Sequence, residues 1–323
     1  MTEALLEVDG LTTVVDQTPE PVPVVRDVSF AVAPGEAVGL VGESGSGKSL
    51  TMLSVIGLLP TPPVRVVRGS VLFEGVDLAR APEPARRGLR GTGLAMIYQD
   101  PVTSLNPVMR IGDQIDEALT AHGATARAAR TRTLEVLDQV GLPRATRAFP
   151  HELSGGQRQR AMIAMALAGS PRLLIADEPT TALDVTIQQQ ILALVGRLQR
   201  ELDLAVVWIT HDLGVVARLV RRVLVMYAGR IVEEGPTARV FASPEHPYTA
   251  GLLGAIPDLT DPERPPLRQI AGAPPALDAV PPGCPFAPRC PQAIERCAAE
   301  DPPLTAREAG GRAACWVPPE RWS

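Results

Sequence analysis

The chain is 323 residues long, 45% hydrophobic but only 3% aromatic, with a formal charge of −5. With a pI near 5.5 and no Lys/Arg-rich stripe, a nucleic-acid surface is excluded and no nucleic-acid partner is expected. No stretch of roughly 18 uncharged apolar residues occurs, which excludes a membrane-spanning helix. Met1-Thr2-Glu3-Ala4-Leu5-Leu6-Glu7 lacks the basic and apolar regions of a secretory signal, so a cytosolic setting is expected.

In chain order, Leu5–Val8, Val24–Val32 and Ser70–Phe73 read as antiparallel strands. Glu36–Val41 is an apolar run that stops at glycine, the pattern of a buried parallel strand, and a helix is expected from Lys48 to Leu58, before Pro60. Further buried strands are predicted at Leu94–Tyr98, Leu173–Ala176, Ala205–Ile209 and Val223–Tyr227, with helices at Gln157–Ala168 and Thr186–Leu202. Between them Ile111, Ile115, Leu119, Leu134, Leu137 and Val140 recur at helical spacing, marking a helical insertion within an α/β core. After about Gly235 the character changes. Thirteen of the 33 prolines fall between Pro257 and Pro303, too many for regular helix or central strand, so a separate loop-rich module is expected there. All four cysteines, Cys284, Cys290, Cys297 and Cys315, lie in this tail.

Of 31 basic side chains, 30 are arginine; the only lysine is Lys48, in Gly42-Glu43-Ser44-Gly45-Ser46-Gly47-Lys48-Ser49. A compact ammonium is what the G-x-x-x-x-G-K-[ST] loop requires, since it must enter a ring of backbone N–H groups and reach the β- and γ-phosphates. The N–H groups of Gly45 through Ser49 are expected to converge on the phosphates, with the Ser49 hydroxyl on Mg²⁺. Leu173–Glu178 is a hydrophobic strand ending in acid, which puts Asp177 beside the nucleotide metal and makes Glu178 the candidate general base. Leu153-Ser154-Gly155-Gly156-Gln157 then supplies a second anion-ready helix start, with Ser154 as N-cap.

From about residue 5 to 255 the chain resembles the ATP-binding subunit of an ABC transporter. Gly42–Ser49 matches Walker A, Leu173–Asp177 Walker B and Leu153–Gln157 the LSGGQ signature; Gln99 matches the Q-loop glutamine, Ala182-Leu183-Asp184 the D-loop and His211 the switch histidine. The resemblance implies a P-loop NTPase (RecA-like) core with an antiparallel β subdomain. A helical signature subdomain at about 100–160 is inserted, and a Pro/Cys-rich extension follows an ATPase domain of residues 1–235 as residues 236–323. It also implies that Gln99 touches Mg²⁺ and that His211 contacts the γ-phosphate. Two ATPase subunits stand head to tail, with Ser154 and Gly156 of one completing the phosphate site of the other. One departure is that no aromatic residue precedes Phe30 to stack on adenine, leaving Val14 or Val15 for that contact.

Gln99–Pro107, Asp184-Val185-Thr186, Glu245-His246-Pro247-Tyr248-Thr249 and Gly283–Pro291 resemble the dipeptide/oligopeptide (peptide/nickel) importers more narrowly. The implied partners are a second, different ATPase chain, two transmembrane permease subunits and an extracytoplasmic solute-binding protein. The implied location is the cytoplasmic face of the membrane. The cysteine spacings, C-x5-C, C-x6-C and C-x17-C, match no standard zinc knuckle, leaving zinc, an iron–sulfur cluster or buried free thiols open. The subfamily resemblance favours a [4Fe-4S] cluster, stabilising the extension. The rival functions are an importer for nickel or another small solute, or a soluble ABC-type ATPase acting on DNA or ribosomes. Against the latter, the 106 residues from Lys48 to Ser154 leave no room for a long coiled coil.

Overall fold

A computed structural model describes residues 4–17, 20–181, 183–256, 269–307 and 310–322. The readings that touch Met1–Glu3, Ala182 of the D-loop and the prolines within 257–268 lie outside the described residues. In chain order the elements are β1 (Leu6–Val15), β2 (Val22–Val32), β3 (Ala37–Val41), α1 (Lys48–Ile56), β4 (Val64–Phe73) and β5 (Val76–Asp77). Next come α2 (Glu83–Leu89), β6 (Leu94–Ile97), α3 (Pro101–Ser104), α4 (Ile111–Ala121), α5 (Ala126–Gln139), α6 (Gly155–Leu167), β7 (Leu173–Asp177), α7 (Val185–Glu201) and β8 (Ala205–Thr210). The chain ends with α8 (Leu213–Leu219), β9 (Arg222–Tyr227), β10 (Arg230–Pro236), α9 (Thr237–Ala242), α10 (Pro247–Gly254), α11 (Glu295–Ala299), β11 (Thr305–Ala306) and β12 (Arg312–Ala313).

These elements form two compact units. The first is built mainly from Ala81–Trp208 and the second from Leu6–Ala31, Ala37–Arg80 and Ile209–Ser323. In the first unit β6 and β7 run parallel, with Ile97 opposite Ala176, and every residue of both strands is buried. A strand covered on both faces cannot alternate apolar with polar, hence the unbroken hydrophobic runs. Helices α4 and α5 pair with each other and against α6, tied by Asp116, which accepts from Thr133 Oγ1 at 2.5 Å and Arg130 at 3.1 Å. The buried stripe of α5 is Ala129, Thr133, Val136 and Leu137, whereas Leu134 is 48% exposed. The helical period holds, but Leu134 is one residue off its face.

In the second unit β2, β1, β4 and β5 form one antiparallel sheet, and β11, β12, β10, β9 and β3 follow one another in another. β3 and β9 are parallel and fully apolar at their centres, while β10 returns antiparallel to β9. The upstream strands are longer than the sequence suggests because β1 and β4 pair as far as Val15–Val64, through a register shift near Gly69. There φ is +96° and a Cβ would lie 2.6 Å from the Asp9 and Leu11 backbones. Helix α1 stops two residues short of Leu58. Gly57 adopts φ 68° and the Leu58 N–H bonds back to Leu53 O at 2.9 Å, a glycine-capped end that forms before Pro60 is reached. After residue 235, β12 pairs with β10 through Glu233–Ala313 and Glu234–Arg312, so the tail contributes strands to this sheet.

Glu233 on β10 is fully buried and accepts from the backbone N–H groups of Glu245 at 2.8 Å and His246 at 3.0 Å. Burial raises its pKa from the ordinary 4.5 to about 7, against the opposing pull of the Arg239 and Arg307 guanidinium groups. The folded state therefore holds the proton more tightly than the unfolded chain, and this group's contribution to stability falls as pH rises from 4.5 to 7. Glu233→Gln is expected to remove that slope. Over this window the wild type should lose on the order of 2–3 kcal/mol relative to the variant, read by urea unfolding at each pH. Parallel curves for the two proteins would contradict it.

Candidate functional site: a nucleotide loop and its carboxylates

In the second unit β3 delivers the chain to Gly42, and the loop closes on α1 at Lys48. Gly42, Gly45 and Gly47 take φ of 154°, 78° and 101°. A Cβ on Gly42 would fall 2.2 Å from the Met226 carbonyl, and one on Gly47 3.0 Å from the Val24 carbonyl, so both glycines are required by close backbone approach. At Gly45 nothing lies within 4 Å, which leaves the loop's tip open. Lys48 is only 5% exposed, and its Nζ donates to Gly42 O at 2.8 Å and Glu43 O at 2.9 Å. Ser46 Oγ is buried and without a hydrogen-bond partner among the described residues. Gly42→Ala is expected to abolish nucleotide binding and lower Tm, since the Met226 backbone cannot give way. Gly45→Ala meets only the left-handed backbone penalty of about 1 kcal/mol. Equal melting curves and equal nucleotide affinity for the two variants would overturn this loop geometry.

His211 also belongs to the second unit, exposed at the end of β8, and Asp212 beside it caps α8 by accepting from the Gly214 and Val215 N–H groups.

In the first unit the parallel register of β6 and β7 decides what meets. Ile97 faces Ala176, so two residues further on Gln99 emerges beside Glu178 at the carboxyl ends of both strands. Gln99 Nε2 donates to Glu178 Oε2 at 3.2 Å, and Thr181 Oγ1 donates to the same oxygen at 2.9 Å. Asp177 is buried as the last residue of β7, and Glu178 takes φ 44°, a left-handed conformation that is strained for a non-glycine residue.

Ser154 caps α6 with a reciprocal pair. Its hydroxyl accepts from the Gln157 N–H at 3.3 Å, and its own N–H donates to Gln157 Oε1 at 2.9 Å. Ser154 and Gln157 are exposed. Gly155 and Gly156 pack the other way: a Cβ on Gly156 would lie 2.6 Å from Ile187 Cγ2, and one on Gly155 3.5 Å from Leu183 Cδ2. Asp184 caps α7 by accepting from the Ile187 N–H at 2.9 Å. The signature turn and the start of α7 thus form one contact. Among the expected site residues, Gln99 meets Glu178, and the signature glycines meet the segment around Asp184.

Two site neighbours carry no motif signal. Tyr248 Oη accepts from the Glu43 N–H at 2.8 Å, and Arg289 bonds both oxygens of the Glu43 carboxylate, at 2.7 and 3.0 Å. Both lie in strings that stand out in the sequence, but nothing there says what they touch. The apolar contact expected for adenine is also corrected. Val14 is 5% exposed and turned into the β1–β4 core, which leaves half-buried Val15 as the surface residue.

Of the alternatives open for the four cysteines, the structure supports free thiols. Cys284, Cys290, Cys297 and Cys315 are free thiols, and among the described residues no three Cys, His, Asp or Glu side chains are grouped to hold a metal ion. Burial raises the Cys284 and Cys290 thiols to about 11 and raises Cys315, and neighbouring thiols of the same set add to the rise. The Cys315 Sγ bonds the Val317 backbone. The [4Fe-4S] cluster that the subfamily resemblance favours, and zinc as its alternative, find no support among the described residues.

Residues 25–181 match the ABC transporter family and residues 232–297 the C-terminal region of oligopeptide/dipeptide transporters. The chain is 50% identical to a putative peptide import ATP-binding protein of Brucella melitensis, across 97% of this chain and 98% of that protein. It is 49% identical to a dipeptide transport ATP-binding protein of Bacillus subtilis, across 92% and 90%. A dimeric bacterial ABC transporter cassette of solved structure aligns at TM-score 0.64 and 27% identity, covering 72% of this chain and 98% of that one. The same cassette, solved as a dimer in a post-hydrolysis state with ADP and phosphate, aligns equally well, at 26% identity over 72% and 98%. With an α/β cassette fold, a glycine-bounded loop around its one lysine, and the Gln99–Glu178 pair at the strand ends, this chain belongs to the ATP-binding subunits of ABC transporters.

Proposed function

We propose that the chain is the ATP-hydrolysing subunit of a di- or oligopeptide importer. The carrying observation is the loop at Lys48, where a buried ammonium sits on loop carbonyls at a helix N-terminus. The unpartnered Ser46 hydroxyl and the open space at Gly45 fit a triphosphate. In this reading Gly42 through Ser49 cradle the phosphates, and Ser49, Gln99 and Asp177 would hold Mg²⁺. A divalent ion there would supply neutralisation of the triphosphate's negative charge. Glu178 takes the proton of the attacking water, Gln99 keeps that carboxylate oriented, and His211 contacts the γ-phosphate. Ser154, Gly155, Gly156, Gln157 and Asp184 serve the phosphate site of a second ATPase subunit, a related but different chain. The solved cassette dimer carrying ADP and phosphate supports this arrangement.

Peptide as cargo is supported by the names of the relatives, which include peptide import and dipeptide transport proteins, and by the matching C-terminal region. No helix among the described residues is long and apolar enough to cross a membrane, so in this reading passage belongs to two permease subunits. An extracytoplasmic binding protein delivers the peptide, the chain attaches to the cytoplasmic face through the permeases, and residues 236–323 form an extension to an ATPase domain of residues 1–235. The test is reconstitution of the subunits in liposomes. ATP-dependent uptake of labelled dipeptide, lost with Glu178→Gln, is expected; uptake that proceeds without ATP hydrolysis would defeat the proposal.

A further inference from the structure

We infer that Arg289, in the C-terminal extension, is a positioning residue of the nucleotide loop: it grips Glu43 and cancels the negative charge that Glu43 places among phosphate-binding groups. The inference rests on the functional reading above and adds to it a role for the extension.

Glu43 is the second residue of an anion-binding loop, and its carbonyl accepts from Lys48 Nζ at 2.9 Å. A bare carboxylate there opposes the field that the backbone N–H groups and the helix start create for a triphosphate. Arg289 answers with a two-pronged ion pair, Nη1 to Oε2 at 2.7 Å and Nη2 to Oε1 at 3.0 Å. The arginine side chain is 5% exposed and the glutamate 27%, so solvent screens the pair little. The Glu43 hydrogen bonds raise the Arg289 pKa further above its ordinary value, so the cation persists at every working pH.

Arg289 is itself held. Its Nε donates to Ala271 O at 2.9 Å, and its guanidinium lies 5.9 Å from the ring centres of both Tyr227 and Phe286. Tyr248, packed on Tyr227 at 4.6 Å and on Phe286 at 5.4 Å, takes the Glu43 backbone N–H. Side chain and backbone of Glu43 are therefore both fixed by residues beyond position 240. Such a forked contact fits arginine, and no motif of the ATPase core supplies it.

The test is titration of the full-length protein with the fluorescent nucleotide mant-ATP and Mg²⁺, with melting curves alongside. Arg289→Ala should weaken binding about ten-fold, the effect of one lost charge-assisted contact. Arg289→Lys, which keeps the charge and loses the fork, should fall between Arg289→Ala and wild type. Adding Glu43→Gln to Arg289→Ala removes the uncompensated charge, so the double variant should bind more tightly than Arg289→Ala alone. A merely structural arginine would not produce that recovery. Arg289→Ala binding within two-fold of wild type, or a double variant no tighter than the single, overturns the inference. Should Arg289→Ala fail to fold, Arg289→Lys decides: at least three-fold weaker binding supports the role and wild-type affinity removes it. A wild type that binds mant-ATP alongside an unaffected Arg289 series sinks this inference alone. A wild type that binds no nucleotide sinks the functional reading with it.

Discussion

Glu178→Gln is expected to bind MgATP as tightly as the wild type while hydrolysing it about 10²–10⁴-fold more slowly, the usual contribution of a positioned general base. The substitution keeps the volume and the oxygen that can accept from Gln99 and Thr181, so neither neighbour loses its hydrogen bond. What disappears is the capacity to take a proton from water. The left-handed backbone at φ 44° persists, because it is set by the turn after β7 and not by the carboxylate. Binding survives and the step after it stalls, so the ATP-bound pair of subunits should accumulate as a dimer on size exclusion with its partner chain. Single-turnover hydrolysis at saturating ATP measures the effect. Turnover at the wild-type rate would remove Glu178 from the base role, and a loss of binding in parallel would assign it to the nucleotide site instead.

Lys48→Ala should weaken nucleotide binding by about 10–10²-fold, the range for losing one or two hydrogen bonds to a charged group, and turnover should fall with it. The ammonium is buried and poised on two carbonyls of the loop, so its removal takes away both the charge for the phosphates and the brace across Gly42 and Glu43. Lys48→Arg discriminates between these effects. A guanidinium retains the charge but is planar and longer, and the Gly42 and Gly47 contacts with the Met226 and Val24 carbonyls leave the loop no room to widen. It should therefore also bind poorly, as read by calorimetric titration of MgATP. Wild-type affinity for Lys48→Arg would show that charge alone suffices.

The two predictions differ in how far they could be read from the chain. Lys48 announced itself by composition, since an arginine-rich protein kept one lysine in a glycine-bounded loop. Glu178 followed from an apolar strand ending in two acids, but its contact with Gln99, 79 residues away, required the register of β6 on β7. Arg289 was legible only as part of a proline- and cysteine-rich string, because the partner that gives it meaning is 246 positions upstream. The cysteines show the opposite failure. The subfamily resemblance favoured a cluster, while the described residues bring no metal-holding group together there.

By itself the amino-acid order determined the buried parallel strands, the phosphate loop, the capped start of α6 and the carboxylate pair. Each of these is written in spacings of a few residues, through periodicity, capping chemistry and glycine's backbone freedom. Tertiary structure alone decided that β12 extends the sheet at β10, that Gly156 packs on Ile187 and that Arg289 closes on Glu43. Those contacts join segments far apart along the chain, and their partners are selected by strand register and by which surfaces burial brings face to face.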